Sequence, residues 1–430
     1  GYTTIDNSGD INAYTYIGSS RGIAAYSFYG IDVTNSGDID AESAFAGTSR
    51  GILAQATYDV SITNSGNVSA TSFQGGSAQA IRATSQYGYA NVYNEGDLSA
   101  TSTSSNSIAI VAVGYDGAYV YNSGDITANN TNANTFGMYV FTENGDALIN
   151  NYGDITASNY GGGASGIYNI SNDNNAIVNN AGDITASTTY GGSYGIYNTA
   201  LYGASAILNS GDISASSYYD ATGLFAKSSY GIAYINSSGD VSVNSSDGIA
   251  YGLYASAFQR SAVVLNYGGD IVANSYSDAS AIVAVALDDV TIYNGGNLSA
   301  YSYNGDAIGI VGATDNGSLA IYNTGNIYAE SVNGNAYGIY ARNTYGDIQI
   351  GTDGDLNVSS YLGEAIGIDA LNTYGDIFIT NNAEITANGD TASYYDYMVI
   401  GSGMSGSYLP GRNYCLSISY DFWNKLKPIK

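Results

Sequence analysis

The composition of this chain is informative first for what is scarce. Its 430 residues include no histidine, one cysteine and two prolines. Without histidine, the usual nucleophile–base–acid triads are excluded, and a single cysteine, Cys415, excludes an internal disulfide. Ten lysines and arginines against 37 acids give a net charge of −27, so we expect no binding to nucleic acid or to an anionic membrane. No apolar run is long enough for a membrane span, and we expect no membrane insertion.

A short motif recurs through most of the chain. Asn-Ser-Gly-Asp-Ile at residues 7–11 returns at 35–39 and then, with variation, about every 29 residues. Self-similarity at a fixed period of this size indicates a solenoid or a propeller. Ala383 occupies the glycine position in the last repeat. The other repeats are marked by Gly9, Gly37, Gly66, Gly96, Gly124, Gly153, Gly182, Gly211, Gly239, Gly269, Gly296, Gly325 and Gly354.

Each repeat contains three segments that read as strands. One follows the turn, as at 125–128, where Ile126 and Ala128 alternate with Thr127 in the period-2 pattern of a half-buried strand. A second is marked by a small residue before a branched apolar one, as at 166–167, and a third apolar run enters the turn, as at 120–122. No segment has helical periodicity.

These patterns predict an all-β fold, a right-handed parallel β-solenoid (β-helix) of about 14 coils with a short C-terminal β segment. A coil of about 29 residues cannot bury its own apolar face, whereas stacked coils enclose one interior. A propeller blade needs roughly 40 residues and four strands, so it fits poorly. We predict a solenoid domain at 1–390 and a C-terminal linker with an assembly or capping strand at 391–430, where the markers stop and both prolines lie.

An asparagine precedes almost every turn. In a parallel stack the same residue lies above itself in each coil, and a side-chain amide can both donate and accept along such a row. We therefore predict a structural asparagine ladder that is interrupted at Thr352. Its predicted members are Asn7, Asn35, Asn64, Asn94, Asn122, Asn151, Asn180, Asn209, Asn236, Asn266, Asn294 and Asn323.

Aspartate usually follows the turn glycine. Stacked carboxylates repel one another, and calcium would relieve the repulsion through oxygen ligands. The glycine-rich nonapeptide of calcium-binding β-rolls is absent, so we expect solvated turns, no metal site and no cofactor, with weak calcium binding as the alternative. Paired carboxylates such as Asp288-Asp289 also suggest an enzyme, but uniform coils offer no differentiated acid–base pair. No catalytic residue is predicted.

Tyrosine is abundant, with 44 residues. Tyr93, Tyr121, Tyr293 and Tyr322 alternate with Val or Ile and should face solvent. Exposed aromatic rows indicate contact with a partner, with a neighbouring copy or with sugar rings, although tyrosine also favours strands in general. Eight Asn-x-Ser/Thr sequences are acceptors for N-glycosylation in a secreted chain, although chance explains most of them. They begin at Asn67, Asn129, Asn169, Asn236, Asn244, Asn297, Asn316 and Asn357.

The last residues differ in charge from the repeats. Residues 412–430 contain four basic side chains and one acidic one. After a Gly/Ser-rich segment at 401–407, residues 414–422 alternate apolar and polar, which predicts an amphipathic strand. We expect this strand to add to the open first coil of another copy; folding back as a cap on its own last coil is the alternative. The predicted assembly residues are Tyr414, Leu416, Ile418, Tyr420, Phe422, Lys425 and Lys427.

The run Asn-Ser-Gly-Asp-Ile-Thr-Ala, at 122–128, followed by a Gly-Ile-x-Ala step, resembles the β-helical passenger domains of bacterial autotransporter adhesins and related filamentous-haemagglutinin-like surface proteins. The likeness covers most of residues 3–390. It implies an exported surface rod that mediates adhesion, aggregation or biofilm formation.

Together these features favour a structural, non-enzymatic protein that is extracellular or on the cell surface. The strand that enters the first turn begins at once, at residues 2–7, and leaves an edge that proteins normally cover. We therefore expect a subunit that polymerises head to tail into a filament or surface layer, its main partner being other copies of itself. The alternative is an autotransporter-like adhesin passenger that binds glycans or a cell surface.

Overall fold

A computed structural model describes residues 1–389, 394–401, 403–404 and 416–419, with side chains described up to residue 389. The described residues contain no helix, and 44 strands follow one another at the spacing of the repeats. The strand pairs are parallel and in register, as in Leu98↔Ile126 and Ile126↔Ile155. The predicted parallel β-solenoid of about 14 coils is thus confirmed.

Each of the first 14 coils contains three described strands, which we name by their place around the turn motif. An A strand leads into the turn, a B strand follows it, and a longer C strand completes the coil. In one coil these are Gly117–Asn122 (A), Ile126–Asn130 (B) and Thr135–Thr142 (C). The described coils fall into two compact units, Gly1–Ser228 and Ser229–Lys430.

In the first unit, strands of each class form one parallel sheet. The A strands are β1 (Thr3–Asn7), β4 (Ile31–Asn35), β7 (Val60–Asn64), β10 (Tyr89–Asn94), β13 (Gly117–Asn122), β16 (Ala147–Asn151), β19 (Ala176–Asn180) and β22 (Ser205–Asn209). The B strands are β2 (Ile11–Ile17), β5 (Ile39–Phe45), β8 (Val68–Ser72), β11 (Leu98–Ser102), β14 (Ile126–Asn130), β17 (Ile155–Asn159), β20 (Ile184–Thr188) and β23 (Ile213–Ser217). The C strands are β3 (Ser20–Ser27), β6 (Ser49–Ala56), β9 (Ala78–Ser85), β12 (Ser107–Gly114), β15 (Thr135–Thr142), β18 (Ala164–Ser171), β21 (Ser193–Ala200) and β24 (Ala221–Ser228).

The second unit repeats this arrangement. Its A strands are β25 (Ala233–Ser237), β28 (Ala262–Asn266), β31 (Val290–Asn294), β34 (Leu319–Asn323), β37 (Ile348–Thr352), β40 (Asp376–Asn381) and β43 (Gly403–Met404). Its B strands are β26 (Val241–Ser245), β29 (Ile271–Ser275), β32 (Leu298–Ser302), β35 (Ile327–Ser331), β38 (Leu356–Ser360) and β41 (Ile385–Gly389). Its C strands are β27 (Ala250–Ala257), β30 (Ala279–Ala286), β33 (Ala307–Thr314), β36 (Ala336–Asn343), β39 (Ala365–Asn372), β42 (Tyr394–Gly401) and β44 (Leu416–Ser419).

The interior of the solenoid is built from the side chains that point inward at alternate strand positions. Ile126, Ile155, Met138 and Ile167 are at most 1 % exposed, and small Ala128 fills the next inward position of its B strand at 0 %. Burial of one such large side chain contributes roughly 1.5–3 kcal/mol. Because each coil contacts only its neighbours, this apolar column supplies the cohesion of the stack.

The turn glycines are required by close packing between coils. A Cβ at Gly37 would lie 2.2 Å from the carbonyl oxygen of Gly9, and one at Gly153 would lie 2.1 Å from that of Gly124. Gly37 and Gly153 do not adopt a positive φ. We conclude that glycine recurs here because the backbones of successive turns touch, rather than because the turn needs left-handed geometry.

Candidate functional site

The asparagine row lies where A strands enter the turn. The Nδ2 of Asn122 donates to the carbonyl oxygen of Gly124 in its own turn at 2.7 Å and to Oδ1 of Asn151 in the next coil at 2.9 Å. Both amide hydrogens are therefore used, and the Oδ1 of Asn122 accepts from Asn94 at 2.7 Å. The same bonds link the asparagines from Asn7 to Asn209 in the first unit.

In the second unit the same row runs from Asn266 through Asn294 to Asn323. It then meets Thr352, whose Oγ1 accepts from Nδ2 of Asn323 at 3.3 Å and donates to Gly354 at 3.1 Å. The hydroxyl group can thus accept the hydrogen bond from Asn323 but has only one hydrogen to donate. That hydrogen is directed at its own turn.

The prediction of Asn236 as a member of this row is wrong. The strand register pairs Ser237 with Asn266 and places Asn236 beside Leu265. Asn236 lies three residues before its turn glycine, whereas most members lie two before it. Asn266 also has the longer spacing, but Gly268 absorbs the extra residue at a φ of +147°, a conformation that suits glycine.

The exchange of asparagine for serine leaves a visible defect. The Oδ1 atom of Asn266 is buried and has no hydrogen-bond partner among the described residues. At the equivalent place in the first unit, every Oδ1 from Asn35 to Asn209 accepts from the preceding asparagine. A buried acceptor without a partner costs about 1–3 kcal/mol.

The aspartates after the turn glycine have a structural role that the sequence did not reveal. The Oδ1 of Asp97 accepts from the backbone N–H of Asp125, and the Oδ1 of Asp125 accepts from that of Asp154, both at 3.0 Å. Asn67 makes the same bond to the N–H of Asp97. Both aspartate and asparagine occur in this corner row because only an acceptor is needed.

Similar acceptors occur at the other two corners of the coil. Asp289 accepts from the N–H of Ser318 at 2.8 Å, and Asp306 accepts from that of Asn335 at 2.8 Å. Burial raises the pKa of Asp306. The described residues contain no group of three or more histidine, cysteine or acidic side chains arranged to hold a metal ion. Asp10, Asp38 and Asp97 line an open groove along the corner after the turn glycines.

The four tyrosines predicted to face solvent lie on outward faces of A strands. Tyr93 is 41 % and Tyr322 39 % exposed, and Tyr121 and Tyr293 are half-buried. The rings of Tyr93, Tyr121 and Tyr293 are tilted against other tyrosines; for example, the centroid of Tyr93 lies 5.3 Å from that of Tyr119. They present part of each ring to solvent.

A more regular aromatic row, not anticipated as a surface, follows the outward side of four C strands. The rings of Tyr139, Tyr168, Tyr197 and Phe225 are stacked within 7° of parallel, at centroid distances of 5.6, 4.6 and 4.9 Å. Because each inner ring has a neighbour on both faces, these faces are not available to stack on a sugar ring. Burial raises the pKa of Tyr168, and it raises the pKa of Tyr197 to about 12.

An ion pair joins two coils of the second unit. Arg342 binds both carboxylate oxygens of Asp369, with the shorter contact at 2.6 Å, and its guanidinium carbon lies 3.6 Å from the ring centre of Tyr340. Asp369 is 6 % exposed, so the ion pair is largely shielded from water and salt. No sequence pattern indicates this pair, since the two residues stand 27 positions apart in different repeats.

The predicted C-terminal assembly strand is described only at Leu416–Ser419. This segment, β44, pairs in parallel with β42, Leu416 lying opposite Met398. β42 in turn pairs with β39. Tyr414, Tyr420, Phe422, Lys425 and Lys427 lie outside the described residues.

The eight predicted glycosylation acceptors differ in accessibility. Asn169 is fully buried, and its Nδ2 donates to the carbonyl oxygen of Ala147 and to Oδ1 of Asn198. It is therefore not accessible to a glycosylating enzyme in the folded chain, which overturns that prediction. The exposed or half-exposed ones are Asn67, Asn129, Asn236, Asn244, Asn297, Asn316 and Asn357.

Comparisons of the chain with protein-family models, with curated proteins and with solved structures gave no match. Among the residues that the structure describes, no helix has the length and apolarity to cross a membrane. The fold alone defines the class of this chain, which is a β-helical repeat protein.

Proposed function

We propose that this chain is a non-catalytic structural protein of the cell exterior whose copies join head to tail into a filament or surface layer. The observation that carries the proposal is the direction of the polar rows. Asn7 donates toward the later coil at Asn35, and Asp10 accepts from the N–H of the later residue Asp38. The N-terminal edge of one coil is therefore complementary to the C-terminal edge of another. Two identical edges are not complementary to each other.

The first coil presents one of these edges. β1, β2 and β3 are end strands, each paired on one side only among the described residues. An unpaired strand edge is a template for another strand. A second copy stacked in the same direction would bring amide donors to Oδ1 of Asn7 and an acceptor to the N–H of Asp10. A reversed copy would bring acceptor against acceptor.

Aromatic side chains surround this edge. Tyr14, Tyr16, Tyr26, Phe28 and Tyr29 are 57–66 % exposed, all within the first coil. Aromatic residues are enriched at protein interfaces, and this density supports the first coil as a contact surface. The predicted strand at 414–422 would supply the other side of the junction. Its described part pairs with β42 of its own chain, so the opposite edge of that strand would meet the first coil of the next copy.

The test uses a proline that blocks the edge without breaking an internal bond. The N–H of Thr3 donates to Gly30 in the next coil, and because N–H directions alternate along a strand, that of Thr4 points to the open edge. Proline is tolerated on edge strands but cannot donate there. We expect the original chain and Thr4→Val to form filaments under negative-stain microscopy, and Thr4→Pro to stay a folded single chain with the same melting temperature.

Two results would reject the proposal. One is an original chain that remains monomeric at high concentration. The other is a Thr4→Pro variant that still forms filaments. Deletion of residues 408–430 tests the C-terminal side of the junction on its own. It should abolish filaments although β1–β3 are unchanged.

The second candidate is an adhesin-like passenger that binds glycans, as the sequence resemblance implies. The observation that favours it is the set of exposed tyrosines whose ring faces are only partly covered, such as Tyr93 and Tyr322. Aromatic faces are common contacts for ligands with apolar surfaces. Glycan-array binding by the monomeric Thr4→Pro variant, lost on Tyr→Ser change at these positions, would favour this function over the first.

A further inference from the structure

We propose that Tyr345 and Tyr374 are a site of oxidative cross-linking, at which a one-electron oxidant of the haem peroxidase and hydrogen peroxide class joins the two rings as dityrosine. Their ring centroids lie 5.2 Å apart and the ring planes are within 9° of parallel. Tyr345 is 60 % and Tyr374 66 % exposed. Two phenols are thus held close together and remain open to an oxidant.

The turns that carry these rings have the same sequence. Asn-Thr-Tyr-Gly-Asp occurs at 343–347 and again at 372–376. In each turn the leading asparagine donates through Nδ2 to the carbonyl oxygen of the closing aspartate, at 3.2 Å for Asn343 and 3.1 Å for Asn372. Oδ1 of Asp347 accepts from the N–H of Asp376 at 2.9 Å. These bonds hold the two turns in the same conformation, one coil apart.

The chemistry balances without any further reactant. Each phenol loses one electron and one proton to become a phenoxyl radical. The two radicals form a carbon–carbon bond between ring carbons next to the oxygens, and the hydrogens on those carbons move to the oxygens, which restores two phenols. The pair has then lost two hydrogen atoms, and one hydrogen peroxide is reduced to two waters.

The close pair in the stacked aromatic row is less suited to this reaction. Tyr168 and Tyr197 are closer, at 4.6 Å, but both rings are half-buried. Each of them is also covered on both faces by neighbours in the row. Phe225, next in that row, has no phenol. The turn one coil before Tyr345 has Asn316 between Asp315 and Gly317 instead of tyrosine, so the exposed pair at 345 and 374 has no third ring from that side.

The site also fits the composition of the chain. A single cysteine excludes an internal disulfide, so coupling of tyrosines is a route by which this protein can gain an internal covalent link. A link between adjacent coils would close a loop of about 29 residues and restrict the unfolded state. We expect the cross-linked second unit to melt at a higher temperature.

The experiment treats the folded chain, at a concentration low enough to avoid contact between copies, with horseradish-type peroxidase and hydrogen peroxide. Digestion with trypsin and an Asp/Glu-specific protease releases residues 343–347 and 370–376, which contain one tyrosine each. We expect a linked peptide whose mass is the sum of the two minus two hydrogens. Tyr374→Phe preserves the ring stack but removes the phenol, so the linked peptide should disappear.

Tyr361→Phe is the matched control. Tyr361 is equally exposed, at 66 %, and lies on its own fragment, 356–364. This variant should form the 345–374 link as the original chain does. The proposal is overturned if the linked peptide is absent, or if Tyr361 enters cross-links as often as Tyr374. Neither result depends on filament formation, because the linked peptide is read from single chains.

Discussion

The asparagine row is continuous in the first unit and interrupted in the second. From Asn7 to Asn209 each amide donates to the next. In the second unit Ser237 precedes Asn266, and Thr352 follows Asn323. The two interruptions have opposite results, since Asn323 finds an acceptor on Thr352 whereas Oδ1 of Asn266 finds no donor among the described residues.

This difference explains why the repeated turn motif has asparagine before the glycine and aspartate after it. A residue of the ladder must give two hydrogens, one to its own turn and one to the next coil, and must accept one. Asparagine meets this requirement, while serine and threonine have a single hydrogen. The corner residue only accepts, so Asp125 and Asn67 serve equally.

The largest expected effect comes from breaking the ladder in the first unit with a side chain of the same shape. Asn122→Asp removes both donors and places a carboxylate against Oδ1 of Asn151 in a fully buried position. We expect the free energy of unfolding to fall by about 3 kcal/mol or more, measured by urea denaturation. The matched control is Asp125→Asn, three residues on, which keeps its acceptor and should change stability by about 0.5 kcal/mol or less. Equal losses in both variants would contradict the donor requirement.

A smaller effect is expected from repairing the second unit. Ser237→Asn should supply the missing donor to Oδ1 of Asn266 and raise the free energy of unfolding by about 1 kcal/mol. The same change at Ser238, an exposed neighbour, should have no effect on denaturant midpoint. A loss of stability in Ser237→Asn would show that this coil has no room for the amide.

The stacked aromatic row gives a prediction on pH. Burial raises the pKa of Tyr197 to about 12 from an ordinary 10.0, so the protonated phenol is favoured in the folded state. The resulting stability is present below pH 10 and is lost as pH rises toward 12. Tyr197→Phe should make the decline of melting temperature over this range shallower. An unchanged slope would place the sensitivity in other tyrosines. In the second unit the equivalent positions include Val283 and Val311. These side chains have no ionisable group, so they cannot contribute to the pH dependence.

The smallest effect is expected from metal ions. The corner aspartates already bond to backbone N–H groups and lie in the open, so a chelator should leave the melting temperature unchanged. Sodium chloride should raise it slightly by screening the repulsion between like charges. A clear gain from millimolar calcium, absent at matched ionic strength of sodium, would establish the cation site that we consider the weaker alternative.

The sequence was sufficient for the fold because the repeat has a fixed period and a fixed alternation. Ile167 could be placed inside and Tyr168 outside from the pattern alone, and the structure agrees. The same alternation places Asn169 inside, so its burial also follows from the pattern.

The remaining features depend on distances between coils that a single repeat does not encode. Asn236 and Asn266 have the same spacing to their glycines, and only Gly268, which can take a positive φ, distinguishes them. The bond from Arg342 to Asp369 and the stacking of Tyr345 on Tyr374 require knowledge of which positions of successive coils overlap. Each of these contacts becomes visible once the register is known.

The close contact between turn glycines has a consequence for how such a chain can change its length. Since Gly37 rests on Gly9 and Gly153 rests on Gly124, and the flanking bonds are the same at each step, a coil can be duplicated or removed as a whole and the newly adjacent turns still fit. A change of a few residues within a strand would instead shift every later side chain out of its row. Within the strands, insertions therefore fit only as whole coils, whereas a turn can absorb a single residue, as at Gly268.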